Sequence, residues 1–214
     1  MYDHDSQVDR AARGLAHRGA RGAGAVLLAA LCIAGRVAAS AATPRPAEPR
    51  GDFDLSVVLD PTQQRGEAHA MVRIHARRDV VWRMVTTCSE EMRLVPGLVD
   101  CEVLETAGDG SWQRVRHVLD YSWYMPSLTY EIRANYDRPA RVTVERVSGD
   151  LRRLSASWSL ESDGADTLAH YSVELDPGFW VPHWLVRVAL RRDLPKMLRA
   201  LRSRAEVLQR TDHE

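Results

Sequence analysis

Residues 98–176 run through six stretches of alternating apolar and polar side chains, and the links between them are as short as "DRPA" (137–140) and "SGD" (148–150). Links made of Gly, Asp, Ser and Pro favour tight turns, whereas a parallel crossover needs a dozen or more residues. Strands at about 98–107, 111–123, 127–136, 140–148, 151–162 and 166–176 are therefore expected as antiparallel neighbours in one meander. The period then changes. In 177–210, Val181, Leu185 and Val188 recur at helical spacing, and Leu190, Leu194, Met197, Leu198, Leu201, Ala205 and Leu208 continue the stripe with a phase shift around Pro195. Proline inside a helix removes a backbone hydrogen bond, so the spacing predicts a long C-terminal helix bent or broken near residue 194.

Ahead of the meander, "AHAMVRIHA" (68–76) alternates as a half-buried strand, with Ala70, Val72, Ile74 and Ala76 on one face. Two short helices follow, at 78–87 and 89–97, the second opened by Ser89 as a cap and stopped by Pro96. "FDLSVVLD" (53–60) reads as an additional edge strand or a collar segment.

Strand phase identifies the inward side chains. The segment 111–123 turns Val115, His117, Leu119, Tyr121 and Trp123 to one face, and 127–136 turns Leu128, Tyr130, Ile132, Ala134 and Tyr136. Val142, Val144, Leu154, Ala156, Trp158, Leu160, Tyr171, Val173 and Leu175 join them, with Arg146 as a further polar member. Residues 120–136 alone hold five of the fourteen aromatic residues. A curved sheet around one amphipathic helix often does not close up, and Tyr and Trp suit the walls of the space left, each offering a broad apolar surface and one polar tip. The alternative is an ordinary aromatic core, which a cavity below about 300 Å³ would favour.

The first 42 residues have the pattern of a secretory signal peptide: Arg10, Arg13, Arg18 and Arg21, then the apolar run "AVLLAALCIAG" (25–35), then small residues in "VAASAA" (37–42). An apolar run of about eleven residues is too short to span a bilayer of roughly 30 Å. Export with cleavage near Ala39 or Ala42 is expected, into a periplasmic or secreted location; a disordered leader or an uncleaved anchor is the competing reading. Residues 43–65 then form a Pro-rich linker with the possible edge strand, and 66–210 the folded domain. In an oxidising compartment Cys88 and Cys101 are free to pair; two buried thiols are the equally weighted alternative. Basic and acidic residues balance at 29 each, so nothing points to nucleic acid.

The order strand, two short helices, long meander and closing helix resembles the START-like (SRPBCC) superfamily, the α+β helix-grip fold of plant pathogenesis-related proteins, polyketide cyclases/dehydrases and Coq10-like lipid-binding proteins. The resemblance rests on "VRIHARRDVVWRMVTTCSEEMRLVPGLVDCEVLE" (72–105), "GDLRRLSASWSL" (149–160) and "PGFWVPHWLVRVALRRDLPKMLRALRSRAE" (177–206). It implies a hydrophobic internal cavity and no universal catalytic residue.

An enzyme would need a proton-moving group inside the pocket. By phase His117 is the one inward histidine, and Tyr121 shares its strand and face; a lone inward histidine is more often a hydrogen-bonded wall residue. No G-x-S-x-G, H-E-x-x-H or nucleotide loop occurs, and His69 and His75 read as surface residues. Trp184, with Trp180 and His183, stands where the closing helix begins, a place suited to the pocket mouth or a membrane interface. Arg187, Arg191, Arg192 and Lys196 read as a solvated face or as a contact for an anionic membrane. The expectation is binding and transport of a lipid, sterol, quinone or polyketide-like molecule without metal or cofactor, through His117, Tyr121, Trp123, Tyr130, Tyr136, Arg146, Trp158, Tyr171 and Trp184. The alternative is a cyclase- or dehydratase-like enzyme using His117 with Tyr121.

Overall fold

The computed structural model describes residues 51, 53–60, 65–121, 127–178 and 183–211, the last segment with backbone only at 183–185. All of them lie in one compact unit, Arg45–Glu214. The strands are β1 (Phe53–Asp60), β2 (Arg65–Ile74), β3 (Leu98–Thr106), β4 (Trp112–Leu119), β5 (Leu128–Asp137), β6 (Arg141–Gly149), β7 (Arg153–Asp163) and β8 (Asp166–Asp176). They form one antiparallel sheet in the order β1-β2-β8-β7-β6-β5-β4-β3. Helices α1 (Arg78–Thr86) and α2 (Cys88–Leu94) interrupt it after β2, and α3 (His183–Val188), a π-helical turn (Ala189–Asp193) and α4 (Leu194–Thr211) close it. The meander follows from the short links, and "FDLSVVLD" is the edge strand β1, paired with β2 over its whole length.

Three details depart from the sequence reading. Strand β4 ends at Leu119, so Tyr121 stands just beyond it, and Trp123 falls outside the described residues. Ser89 is not the cap of α2: the helix begins at Cys88, and the Thr87 carbonyl accepts from the amides of Glu90 and Glu91, both at 2.9 Å. Glu90 and Glu91 in that first turn suit the positive end of the helix dipole. The helix stops at Leu94 because Val95 precedes Pro96, a position that disfavours helical backbone. At Val147 a β-bulge shifts the register, so that Glu131 faces Ser148 but Ile132 faces Arg146. Such insertions, repeated twice in β3, bend the sheet.

The break expected near residue 194 takes the form of the π turn. Pro195 has no N–H to donate, and the chain inserts a wider turn just before it, where the Leu194 amide donates to Ala189 O. The extra residue resets the helical phase, and Leu194, Met197, Leu198, Leu201 and Ala205 are all buried on the sheet side. Ile74, Met84, Leu160, Leu198 and Leu201 are fully buried in the resulting core. Gly66 of β2 allows the closing segment to settle: a Cβ there would overlap Leu190 Cδ1 and stand 2.9 Å from Val186 Cγ1.

Candidate functional site

Beneath α3, the π turn and the start of α4 the layers do not meet. A cavity of about 200 Å³ opens there to the surface, walled by Leu119, Leu128 and Leu154 from the sheet, Leu151 from the link between β6 and β7, and Val186, Leu190 and Met197 from the closing segment. Tyr121, Tyr130 and Tyr171 share this wall. Tyr121 is fixed in place: its hydroxyl donates to Pro96 O at 3.1 Å, and Gly97, at φ +81°, leaves room for its ring where a Cβ would come within 2.9 Å. Burial raises the Tyr130 and Tyr171 phenols well above the usual tyrosine range, and the negative charge of Glu91 adds to the effect. Both therefore stay protonated and each can donate a hydrogen bond. Asp193, at the end of the π turn, also reaches the wall and pairs with Lys196 at 3.5 Å.

Residues 74–202 match the family described as "Polyketide cyclase / dehydrase and lipid transport". The chain belongs to this family. Solved structures agree on the fold. A STAR-related lipid transfer protein from Xanthomonas axonopodis superposes with a TM-score of 0.62 at 19% identity, over 74% of this chain and 96% of that one. The Zhui aromatase/cyclase from a Streptomyces species gives 0.55 at 17% identity, over 72% and 94%. A START superfamily protein from Mycobacterium smegmatis gives 0.58 at 18% identity, over 66% and 98%. Curated proteins yield no match.

Within this polyketide cyclase and lipid transport fold, the residues singled out from the sequence divide into groups. Tyr121, Tyr130 and Tyr171 meet at the cavity. Tyr136 and Trp158 border a separate void of about 50 Å³, and Tyr136 donates from its hydroxyl to Gln113 Oε1 at 2.9 Å. Trp158 stacks at a tilt on Tyr171, ring centroids 4.3 Å apart, and so marks the boundary between the two spaces. Arg146 belongs to neither wall among the described residues; its guanidinium donates to Gly149 O at 2.8 Å, within its own turn. Trp123 and the side chain of Trp184 lie outside the described residues.

His117 is inward and buried, as its phase required, but it is not alone. Its Nε2 stands 3.1 Å from Glu91 Oε2, and its ring meets Tyr130 edge to face with centroids 5.4 Å apart. The expected partnership with Tyr121 is not formed: Tyr121 turns to Pro96, and His117 lies behind Tyr130, away from the cavity wall. Beside Glu91, Cys88 and Cys101 form a disulfide that ties α2 to β3, with Cα atoms 5.4 Å apart. Sequence reasoning missed Glu91 because sheet phase says nothing about a helix laid over the same face. The available signal was its place three residues after Cys88, on the helix that a Cys88–Cys101 bond would pin beside β4.

Proposed function

We propose that this protein binds and carries a compact hydrophobic molecule in the tyrosine-walled cavity. The observation that carries the reading is an apolar space of about 200 Å³ whose polar groups are mostly neutral tyrosine hydroxyls. Fixed donors in an apolar wall suit a neutral guest with a carbonyl, hydroxyl or ether at one end. The size narrows the guest. A cavity of roughly 150 Å³ can hold benzene, and drug-sized ligands need about 300 Å³ or more. A substituted ring or the end of an acyl chain fits; a whole sterol or quinone must protrude through the mouth or displace α3. At about 200 Å³ the cavity falls below the roughly 300 Å³ that separates a roomy lipid pocket from an ordinary aromatic core, so the expected roomy cavity gives way to a partly filled core with a small pocket.

Two features support a carrier that works at a membrane surface outside the cytoplasm. Arg187, Arg191, Arg192 and Lys196 are exposed on the segment that covers the cavity, where they suit an anionic lipid surface. The Cys88–Cys101 disulfide suits an oxidising compartment. Among the described residues no helix is long and apolar enough to cross a membrane.

The test is native mass spectrometry of protein purified from its host without detergent, followed by organic extraction and titration with a naphthalene-sized fluorescent probe. A retained apolar species displaced stoichiometrically by the probe is expected. Protein that carries nothing and takes up no probe would sink the reading. The cyclase-like reading has one favouring observation, the His117–Glu91 contact. It requires product formation that His117→Ala abolishes while probe uptake continues.

A further inference from the structure

The side chains around the disulfide form a donor set that the carrier reading does not use. Glu91, Cys101 and His117 each present one ligand-type atom, all within 4.8 Å of one another. Their spacing is that of ligands around one ion. At zinc bond lengths of about 2.0–2.1 Å to N and O and about 2.3 Å to S, tetrahedral angles put N and O roughly 3.3 Å apart and S and O roughly 3.6 Å apart. The corresponding distances here are 3.1 Å for His117 Nε2 to Glu91 Oε2 and 3.8 Å for Cys101 Sγ to Glu91 Oε2.

His117 provides an independent sign. The residue is 7% exposed, and its Nε2 is buried without a hydrogen bond, because the contact with Glu91 is close but misaligned for one. A buried polar atom without a hydrogen bond is unfavourable unless something else satisfies it. Next to this group is the void of about 50 Å³ whose walls include both Cys88 and Glu91, larger than the space one water or ion occupies.

We propose that reduction of the Cys88–Cys101 disulfide creates a zinc site of Cys88, Cys101, His117 and Glu91. As a disulfide neither sulfur is a thiolate, and the set is incomplete. Two external thiols supply the two electrons and two protons: the S–S bond breaks, each cysteine sulfur takes a proton, and the external thiols leave joined as their own disulfide. Zinc then displaces those two protons, leaving two thiolates, a neutral imidazole and a carboxylate, a donor set that zinc favours. The ion takes over the link between α2 and β3 that the disulfide made.

The full chain is reduced anaerobically with a phosphine, which yields the same dithiol, and titrated with Co²⁺ as a spectroscopic substitute and then with Zn²⁺. One equivalent of Co²⁺ is expected to bind, with thiolate-to-cobalt charge-transfer absorption and the strong visible bands of four-coordinate cobalt, which zinc bleaches. The oxidised chain should show neither. His117→Gln and Glu91→Gln should each weaken the reduced site by at least about tenfold, the lower end of what even second-layer partners of a metal contribute. Absence of the charge-transfer band overturns the proposal, as does unchanged affinity in both variants, which would mean that two bare thiols do the binding. A reduced chain that loses its far-ultraviolet dichroism and does not regain it with zinc overturns it too, since the site requires the fold.

Discussion

The two ends of the layer between sheet and helices are made from the same kinds of side chain, yet one is filled but for a void of about 50 Å³ and the other is hollow. At the filled end Trp82 meets Tyr136 edge to face, centroids 5.9 Å apart, and α1 presses Val80, Val81, Met84 and Val85 into the space between the sheet and α4. At the hollow end Tyr121, Tyr130 and Tyr171 line a cavity. The difference is in what lies over them. A regular helix with one broad buried face covers the first, while the second is covered by a segment interrupted by a π turn, which spreads its side chains over a longer stretch of backbone. Aromatic content therefore does not make a pocket; the irregularity of the opposing element does.

The sharpest break of this comparison is a truncation at each end. Trp158→Ala empties a site where the ring packs on Tyr171 and is 9% exposed, and a loss of about 3–5 kcal/mol is expected. Leu154→Ala removes a side chain that already faces the cavity, so its cost should sit near the lower end, about 2 kcal/mol. Urea unfolding of both variants checks the ranking, and equal losses would mean that the cavity is packed in solution.

Filling the hollow end asks the converse. Ala189→Trp places an indole from the π turn into the vacant space. Overpacking a full core usually costs about 1–3 kcal/mol; here the change in stability should stay below about 1 kcal/mol while probe affinity falls at least tenfold, about 1.4 kcal/mol. The same variant losing stability but keeping its probe would reverse the assignment of filled and hollow.

How far these ends could be told apart from the sequence depends on the kind of signal. Strand phase is local and has period two, so Tyr130, Ile132, Trp158 and His117 were legible as inward residues. Whether an inward ring meets a partner depends on the shape of the opposing element, and a π turn leaves only the weak mark of a phase shift before Pro195. Glu91 was illegible for a related reason: it reaches His117 across tertiary space, from a helix whose orientation the disulfide helps to set. Arg146 keeps its inward phase, opposite Ile132, but its guanidinium turns to Gly149 O beyond the bulge at Val147, a contact that alternation along the strand does not reveal.

The phenols report on both ends at once. Burial first, and Glu91 second, push Tyr136 up to about 12, and burial raises Tyr130 and Tyr171 as well. An unfolded tyrosine ionises near pH 10, so above that the unfolded chain sheds protons that the folded chain retains, and stability falls as pH rises. The tyrosine contribution should be complete below pH 10, and for Tyr136 it should drain away between about 10 and about 12. Tyr130→Phe and Tyr171→Phe should each flatten the alkaline loss, as seen in urea midpoints across that range. An unchanged slope in both would mean that their hydroxyls are open to water in the folded state.

The smallest expected effect tests how the hollow end is held open. Gly66→Ala adds one methyl where Leu190 Cδ1 and Val186 Cγ1 now lie. Both are ends of side chains, and Val186 and Leu190 are themselves cavity walls, so the least costly response is for them to turn away from β2 and into the cavity. Alanine also removes the entropic disadvantage of glycine within a strand, roughly 0.5–1 kcal/mol, which offsets part of the crowding. Stability should thus change by less than about 1 kcal/mol, while the narrowed space should weaken probe binding a few-fold, read by fluorescence titration beside Ala189→Trp. If affinity held and stability fell instead, the closing segment would be rigid against the sheet, and the cavity would owe its volume to the strands rather than to the π turn.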